Sequence, residues 1–422
     1  MNDDAVLAQL RQQAASGSAQ ALYQLASALV ARHEVDEALP LHRRAAELGF
    51  VNSQIEYARM LMFGVATDVD PVQATQWLLR AEATGNVIAG YFLVLMSFGD
   101  GSVAPDGRFN ERLLNAVRAD YPPALRAAAI HFGRKQNAAD QHRCLQLLER
   151  AASRGDAVAA RLLVERLARG EGCPPQPQAA REIRLQLARH GIGAMPAIEV
   201  SSSGHETASV AGVLALEEVL QPVERVEQSD RPHVWAVDDL LSADECRLLV
   251  ACAEPRLQRS RTLDPESGLP VPMELRTSED ASFDPILEDL ALRLVQLRLA
   301  TAAGMPLSHA EHLIVLRYRP GEEYRPHRDY RPPGSIERDR PEAGNRQRTI
   351  CVYLNEPEAG GETEFPVAGL KVAPRAGRAV IFDNLHADGR PDTDSLHAGL
   401  PVQQGEKWLA TLWIRQGRYR AY

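Results

Sequence analysis

Two different hydrophobic periods divide the chain. Through residue 191, apolar side chains recur every three or four positions, as at Ala21, Leu25 and Ala28, which is the spacing of amphipathic helices. After residue 232 the period changes to two, as in KWLATLWIR at residues 407–415, which is typical of β-strands. Residues 192–232 are rich in serine and mixed polar residues, so we expect a linker there with one short helix.

The helical part repeats itself. Runs of small residues ending in glycine recur at intervals of about 35 residues, with one double interval whose midpoint falls on Asp120. Glycine is favoured after a helix because it adopts positive φ readily. Two helices per unit predict a solenoid, since each hairpin buries its apolar face only against its neighbours. The glycines that end the runs are Gly17, Gly49, Gly85, Gly155 and Gly191.

The repeat pattern resembles tetratricopeptide-like repeats, most closely the Sel-1-like kind, whose units end in Ala-Ala-x-x-Gly. This resemblance implies an all-α helical-repeat solenoid over residues 1–191. Such an array either offers a concave surface to a protein or peptide, or serves as a spacer or dimerisation platform. The repeats leave both alternatives open, because they define an architecture and not a ligand.

The C-terminal part, residues 233–422, combines two helical segments with a series of strands separated by Gly and Pro turns. Helices are predicted for DECRLLVACAEPRL and DPILEDLALRLVQLRLATAAG. Strands are predicted for HVWAVDDLL, HLIVLRYR, RTICVYLN, RAVIFDN, LHAGLPV and KWLATLWIR. This order favours an antiparallel sandwich or jelly roll with flanking helices. The fold class is therefore a multidomain α + β protein, with a solenoid, a linker at 192–232 and a β-rich domain.

A candidate metal site lies in LRYRPGEEYRPHRDY. His327 and Asp329 are two residues apart in an extended segment, so their side chains point to the same side. They supply two ligands of a 2-His-1-carboxylate triad, which holds Fe(II) and leaves positions open for chemistry. The third ligand is His386 or His397. We favour His397, because it opens a predicted strand, whereas His386 lies in a predicted loop.

Lysine is rare in this chain, and one lysine lies near the candidate site. Only residues 135, 371 and 407 are lysine among 47 basic residues. Lys407 begins the strand that follows His397, where a cation is well placed to bind an anionic cosubstrate. On that strand Leu409, Thr411 and Trp413 share a face with Lys407, and this mixed face suits a pocket wall.

Charge and composition exclude several classes of protein. The net charge of −9 argues against nucleic-acid binding, which requires a basic surface. No apolar stretch is long enough for a membrane span, and the acidic start MNDDAVLAQL lacks a secretory signal, so we expect a cytoplasmic protein without membrane association. Five cysteines without a CxxC pair suggest neither a disulfide framework nor a zinc site.

From about Trp235 to Arg415 the chain resembles the catalytic domain of prolyl 4-hydroxylases, within the 2-oxoglutarate and Fe(II)-dependent dioxygenases. The resemblance runs through ELRTSEDASF, LRYRPGEEYRPHRD, NRQRTICVYLNEPEAGGETEFP, VAPRAGRAVIFDN and DSLHAGLPVQQGEKWLATLW. It implies a double-stranded β-helix over residues 233–422. The residues that it implies are His327, Asp329 and His397 as iron ligands; Lys407, Tyr318 and Thr363 for 2-oxoglutarate; and Tyr324, Arg346, Trp413, Arg276 and Ser278 for substrate.

The resemblance also implies the chemistry. It implies oxidative decarboxylation of 2-oxoglutarate to succinate and carbon dioxide, using Fe(II) and O₂ and with ascorbate as a further cofactor, coupled to hydroxylation of a C–H bond. We expect a protein or peptide substrate, most naturally at proline, recruited by the repeats. Segment DPESGLPVPMELRTS corresponds to a loop that closes over the peptide. The alternatives are the same chemistry on another side chain or small molecule, and a non-catalytic scaffold with a dead oxygenase fold.

Nine arginines lie between Arg317 and Arg348. They either favour an acidic substrate or form a solvated, paired surface. We favour the paired surface, because acidic residues are interleaved among the arginines.

Overall fold

The computed structural model describes residues 3–99, 106–199, 211–263, 270–272, 275–332 and 334–420. The chain forms two compact units, one extending to Ala124 and the other running from Leu125 to Arg420. Within the described residues, no helix is both long and apolar enough to cross a bilayer.

The first unit consists of antiparallel helix pairs. Successive helices contact each other most, as α2 does with α3 and α4 with α5, which is the nearest-neighbour pattern of a solenoid. The helices are α1 (Asp3–Ala14), α2 (Ala19–Ala31), α3 (Val35–Glu47), α4 (Val51–Phe63), α5 (Pro71–Glu82), α6 (Val87–Ser97) and α7 (Phe109–Arg118).

Caps and glycines set the helix ends in the way that the repeat predicted. The side chains of Ser18, Asp70 and Asn86 accept hydrogen bonds from backbone N–H groups at the starts of α2, α5 and α6, which satisfies otherwise unpaired donors. The five predicted glycines all have positive φ. Asp120, at the midpoint of the double interval, also has positive φ, at 53°. The aspartate therefore occupies the backbone position of the missing glycine.

The second unit contains both helices of the repeat type and the β-rich part. Its helices are α8 (Pro122–Gly133, beginning at the boundary), α9 (Ala138–Ser153), α10 (Ala157–Arg169), α11 (Pro177–Arg189), α12 (Ala243–Ala253) and α13 (Leu290–Ala303). A short 3₁₀ helix at Leu216–Leu220 lies in the predicted linker, and residues 200–210 of that linker are outside the described residues. The predicted boundaries at residues 191 and 232 stay a prediction.

The strands follow the predicted segments closely. KWLATLWIR forms a single strand over its whole length, and LHAGLPV contributes to two short ones. The strands are β1 (Val226–Asp230), β2 (His233–Val237), β3 (Gln258–Arg259), β4 (Arg261–Leu263), β5 (Pro270–Pro272), β6 (Glu279–Phe283), β7 (Leu313–Tyr318), β8 (Tyr324–His327), β9 (Arg346–Tyr353), β10 (Ala359–Gly360), β11 (Thr363–Phe365), β12 (Leu370–Val372), β13 (Ala379–Asp383), β14 (His397–Gly399), β15 (Val402–Gln404) and β16 (Lys407–Arg415).

Antiparallel sheets of eight and four strands build the core of the second unit. The larger sheet has the order β1-β2-β13-β9-β16-β7-β6-β3, and the smaller has the order β12-β11-β14-β8. Buried side chains of both sheets join in one cluster, including Tyr318 and Tyr353 from the larger sheet and Phe365 from the smaller. The predicted jelly roll with flanking helices, preceded by helical repeats, is confirmed.

Buried ion pairs join the repeat-type helices of this unit to α12. Arg166 of α10 donates to Asp244 of α12, and both side chains are almost fully buried. Arg247 of α12 is paired with Glu171 at 2.6 Å, just beyond the end of α10. Helix α12 is buried along ten consecutive residues. Buried ion pairs therefore hold the repeat-type helices against α12, within the same compact unit as the sheets.

Candidate metal and cosubstrate site

A short ladder in the smaller sheet brings two histidines together. β8 and β14 pair antiparallel with His327 directly opposite His397, so both side chains project from the same face of the sheet. Their ring centroids are 4.2 Å apart. Tyr324 stacks on the His327 ring with a centroid separation of 3.4 Å, and Phe382 lies 4.5 Å from the His397 ring. The imidazoles are therefore held by packing as well as by the ladder.

Asp329 completes a three-residue group. One potential ligand atom from each of His327, Asp329 and His397 lies within 4.8 Å of the other two. Asp329 Oδ1 is 3.5 Å from His327 Nε2, and Asp329 Oδ2 is 3.7 Å from His397 Nε2. Two imidazoles and a carboxylate on one side of a site form the donor set of non-haem Fe(II) oxygenases.

The hydrogen bonds of the two histidines fit metal binding. Each Nδ1 lies close to a backbone carbonyl, that of Arg325 at 2.8 Å for His327 and that of Ser395 at 2.9 Å for His397. A carbonyl only accepts, so both Nδ1 atoms carry a proton, and each Nε2 is the ring nitrogen that faces the Asp329 carboxylate. Such a second hydrogen bond is the usual way in which proteins orient a metal-ligating histidine.

The charge states also fit. Burial alone would raise the pKa of the Asp329 carboxyl, but His397, His327 and Arg346 outweigh burial and hold that pKa well below its usual range. Burial and the neighbouring His327 lower the pKa of His397 to about 4. At neutral pH the site therefore presents an ionised carboxylate and a neutral His397 imidazole, and these are the forms that bind metals.

Lys407 extends into the same core from the first position of β16. It lies opposite Tyr318 in the ladder with β7. Its ammonium nitrogen is 5.4 Å from the Tyr318 ring centroid and 5.3 Å from that of Tyr353. It is also 3.8 Å from the point where a Cβ on Gly399 would lie. Because Gly399 follows His397 by two residues on β14, the ammonium is about 7 Å along the strand from the histidine pair.

The Lys407 ammonium differs from the other buried cations of the second unit. Its residue is 2% exposed, and burial lowers its pKa to about 8. Glu362 contributes to its electrostatic field, but within the described part of the chain no carboxylate forms an ion pair with it. Other buried cations of the second unit, such as Arg293 and Arg415, are paired with carboxylates. Among these buried cations, Lys407 is therefore the one whose charge the described residues do not pair with a carboxylate.

Tyr318 and Thr363, the other predicted cosubstrate residues, lie around Lys407. Tyr318 is hydrogen-bonded to Ser278, and burial raises the pKa of its phenol. Thr363 Oγ1 accepts a hydrogen bond of 2.6 Å from the Tyr353 hydroxyl. The hydroxyl groups of Tyr318, Ser278, Thr363 and Tyr353 all belong to buried residues.

The predicted substrate-side residues Tyr324, Arg346 and Trp413 are near the triad. Burial and Asp329 raise the pKa of Tyr324 to about 12, so its phenol is neutral. The Arg346 guanidinium lies 3.8 Å from the Trp413 ring centroid and donates to the Asp329 backbone carbonyl at 3.4 Å. Glu311 binds Arg346 through two hydrogen bonds of 2.7 Å. These contacts place Arg346 and Trp413 beside Asp329.

Arg276 and Ser278 occupy the stem of the predicted closing loop. Arg276 is paired with Asp280 at 2.8 Å and lies over the Tyr324 ring at 5.4 Å. Ser278 Oγ is 3.0 Å from Ser260 Oγ. Residues 264–269 and 273–274 of the predicted loop are outside the described residues.

His386 is not part of the group. It is exposed, and its Nε2 lies 3.7 Å from Asp392. Of the nine arginines between Arg317 and Arg348, six are paired with carboxylates, which favours the paired-surface interpretation. The six pairs are Arg317–Glu279, Arg319–Glu279, Arg325–Glu323, Arg331–Asp339, Arg346–Glu311 and Arg348–Asp383.

Sequence reasoning missed several residues of the site. Tyr353 lies beside Lys407, and its signal was the period-two pattern of β9, which puts it on the same face as Cys351 and Thr349. Gly361 has φ of +79°, and a Cβ there would lie 3.1 Å from Lys407 Cδ, so this glycine of the GGET turn leaves room for the lysine stem. Thr349 and Asn384 had no signal in the sequence; Thr349 Oγ1 donates to Asp329 Oδ2 at 2.8 Å, and Asn384 Nδ2 donates to Thr349 Oγ1 at 2.9 Å.

Comparisons with known proteins agree with this geometry. Residues 313–415 match the 2OG-Fe(II) oxygenase superfamily. The chain is 33% identical over 208 residues to probable prolyl 4-hydroxylase 3 of Arabidopsis thaliana, an alignment that covers 45% of this chain and 71% of the relative. Identity to prolyl 4-hydroxylase 1 of the same plant is 35% over 44% of this chain and 69% of the relative. Prolyl 4-hydroxylase subunit alpha-1 of Rattus norvegicus is 31% identical, but only 37% of its length is covered.

Solved structures similar to each part are also known. The viral collagen prolyl hydroxylase of Paramecium Bursaria Chlorella virus-1, in its 2OG complex, is 30% identical with a TM-score of 0.34 over 43% of this chain and 95% of that one. A Sel1 repeat protein from Oxalobacter formigenes is 20% identical with a TM-score of 0.38 over 43% of this chain and 75% of that one. From the sequence identity and coverage of the plant relatives, the chain belongs to the prolyl 4-hydroxylase family of the 2OG-Fe(II) oxygenase superfamily.

Proposed function

We propose that this protein is a 2-oxoglutarate- and Fe(II)-dependent dioxygenase that hydroxylates prolyl residues of a protein or peptide. The observation that carries the proposal is the combination of the His327, Asp329 and His397 group with the buried ammonium of Lys407, for which the described residues offer no carboxylate partner. A metal-binding group alone fits many functions. An isolated buried cation beside it requires an anionic partner, because an uncompensated buried charge is costly.

His327, Asp329 and His397 would hold the iron through Nε2, a carboxylate oxygen and Nε2. The bound Fe(II) would supply the activation of O₂ and the oxidation of a C–H bond, while 2-oxoglutarate is decarboxylated to succinate. The chain itself binds and orients the reactants and keeps water from them. The aromatic rings around the triad, those of the partly buried Tyr324 and the buried Phe365 and Phe382, would perform that exclusion.

Lys407 would bind the carboxylate of 2-oxoglutarate that is distant from the metal, while the 2-oxo acid end reaches the iron. Tyr318 lies beside the ammonium and carries a neutral phenol that can donate to the same carboxylate. Thr363 accepts from Tyr353, and its own hydroxyl proton is therefore available to an anion. The pocket thus offers a cation and hydroxyl donors at one end and the metal ligands at the other.

The relatives at 33% and 35% identity are named as prolyl 4-hydroxylases, which favours proline as the substrate residue. We place the peptide at the wall formed by Tyr324, Arg346 and Trp413, with Arg276 and Ser278 in the stem of a closing loop. We further propose cytoplasmic activity, recruitment of the substrate by the helical repeats, and stimulation by ascorbate. The intact triad and Lys407 favour an active enzyme over a non-catalytic scaffold.

The test is succinate formation from 2-oxoglutarate by the anaerobically Fe(II)-loaded protein after admission of O₂. Proline-containing peptides are added, and mass spectrometry locates any added oxygen atom. We expect turnover that is lost in His327→Ala and retained in His386→Ala, the matched histidine outside the triad. Succinate at the level of His327→Ala under every condition would reject the enzyme. Turnover with oxygen added only to residues other than proline would reject the substrate class.

A further inference from the structure

The three metal-binding side chains are not fixed in the same way. His327 and His397 lie opposite each other in the β8–β14 ladder, which fixes their backbones together. Asp329 lies two residues beyond the end of β8, where no ladder holds it. Its carboxylate therefore needs an anchor from another part of the fold.

That anchor comes from the larger sheet. Thr349 Oγ1, on β9, lies 2.8 Å from Asp329 Oδ2, and Asn384 Nδ2, just after β13, lies 2.9 Å from Thr349 Oγ1. Thr349 and Asn384 are both fully buried. β9 and β13 are paired with Thr349 opposite Phe382, and the Asn384 backbone N–H donates to the Gln347 carbonyl at 2.8 Å. The two side chains thus rest on a rigid ladder of their own.

The donor and the acceptor can be assigned in both hydrogen bonds that link Asn384, Thr349 and Asp329. Thr349 Oγ1 donates its single hydroxyl proton to Asp329 Oδ2. The Thr349 oxygen must then accept, and only the amide nitrogen of Asn384 can donate to it. This assignment leaves Asn384 Oδ1 buried without a hydrogen-bond partner in the described structure. The Asn384 side chain therefore acts in this contact through its amide donor alone.

We infer that Thr349 and Asn384 are positioning residues that orient Asp329 for the metal. Thr349 occupies Oδ2 and leaves Oδ1, 3.5 Å from His327 Nε2, as the oxygen free to bind. The Asn384 amide donates a hydrogen bond to a lone pair of Thr349 Oγ1, and this contact fixes the rotation of the Thr349 hydroxyl. Thr349 and Asn384 thus fix the orientation of the Asp329 carboxylate, as the β8–β14 ladder fixes the positions of the two histidines. This inference rests on the proposed metal centre.

The experiment measures Mn²⁺ affinity of the full-length protein by electron paramagnetic resonance, independently of turnover. In Thr349→Val we expect the dissociation constant to rise about 10- to 100-fold, the usual effect of losing a hydrogen bond to a metal ligand. Thr349→Ser keeps the hydroxyl and should restore affinity close to wild type. Thr75→Val, the same substitution at a threonine in the first unit, should leave affinity unchanged.

Asn384→Leu separates positioning from folding. It removes the amide donor together with the unpaired oxygen, so its thermal midpoint should stay at or above that of wild type while Mn²⁺ binding weakens. The absorption spectrum of the Co²⁺-loaded protein should change in Thr349→Val and in Asn384→Leu, because the carboxylate turns. Unchanged Mn²⁺ affinity and Co²⁺ spectra in both variants would overturn the inference. Wild-type affinity no better than that of Asp329→Ala would instead overturn the metal centre itself.

Discussion

Replacing Lys407 with methionine should make the protein more stable and unable to bind 2-oxoglutarate. Lys407 is buried beside Tyr318 and Tyr353, and no carboxylate neutralises it within the described chain. Methionine has a stem of similar length and no charge. The substitution therefore removes a buried ammonium without opening a large cavity.

The size of the effect follows from the pKa. Burial lowers the pKa of Lys407 from its ordinary 10.5 to about 8. At neutral pH, a depression of this size corresponds to about 3 kcal/mol by which the charged lysine destabilises the folded state. The unfolded chain binds the Lys407 proton more tightly than the folded chain does, so protonation of this lysine favours unfolding. The cost is thus complete below pH 8, decreases as the pH rises, and is absent above pH 10.5.

Urea unfolding without 2-oxoglutarate compares wild type with Lys407→Met at pH 7 and pH 10. The variant should have the higher midpoint at pH 7, with the difference narrowing at pH 10. At pH 7, 2-oxoglutarate at 1,000 times its dissociation constant, with Mn²⁺ present, should reverse the order, since it stabilises the wild type by about 4.1 kcal/mol. Lys371→Met is the control, because Lys371 is largely exposed and paired with Glu364.

Binding of 2-oxoglutarate to the wild type should depend on pH in the opposite direction. Above pH 8 the free protein loses the ammonium, so the dissociation constant should rise about tenfold per pH unit. Calorimetric titration from pH 7 to pH 9.5 measures this slope. A Lys407→Met variant that is less stable than wild type without ligand, or that binds 2-oxoglutarate with unchanged affinity, would refute the reasoning.

Two further predictions concern stability. Arg166→Met leaves the buried Asp244 without its main cation, so we expect the free energy of unfolding in urea to fall by about 3–5 kcal/mol. The control Arg43→Met, at an exposed arginine, should change it little. A fall below about 1 kcal/mol for Arg166→Met would contradict a structural role for the pair. Gly49 has φ of +87° and open space around its missing Cβ, so Gly49→Ala should cost about 1–2 kcal/mol in urea unfolding through backbone strain alone. An unchanged free energy of unfolding would contradict this account.

The repeats were readable from sequence because their signals are local. A glycine that ends a helix is required by the φ of that single residue, so spacing alone located each turn. Even the exception at Asp120 was readable, since aspartate is one of the residues that tolerate positive φ. The strands were readable for the same reason, because alternation reports which face of one strand is buried.

The site was only partly readable, because most of its contacts join distant segments. His327 and Asp329 are neighbours in sequence, which predicted that they lie close together, but β8 ends at His327 and a single strand does not set the orientation of Asp329. The order of the sheet, which puts β16 between β9 and β7, has no local signal. Thr349 and Asn384 meet Asp329 only through that order. Their residue types are also common in ordinary strands and loops, so nothing in the sequence singled them out.

The ion pairs between α10 and α12 show why charge is hard to interpret before the fold is known. Arg166 and Asp244 are 78 residues apart and belong to segments with different patterns. In the sequence each is one of many charged residues that are usually exposed. In the fold they neutralise each other in the interior, as do most buried charges of this unit. Only after that pairing is recognised does Lys407 stand out, because it is a buried cation that the described residues do not pair with a carboxylate.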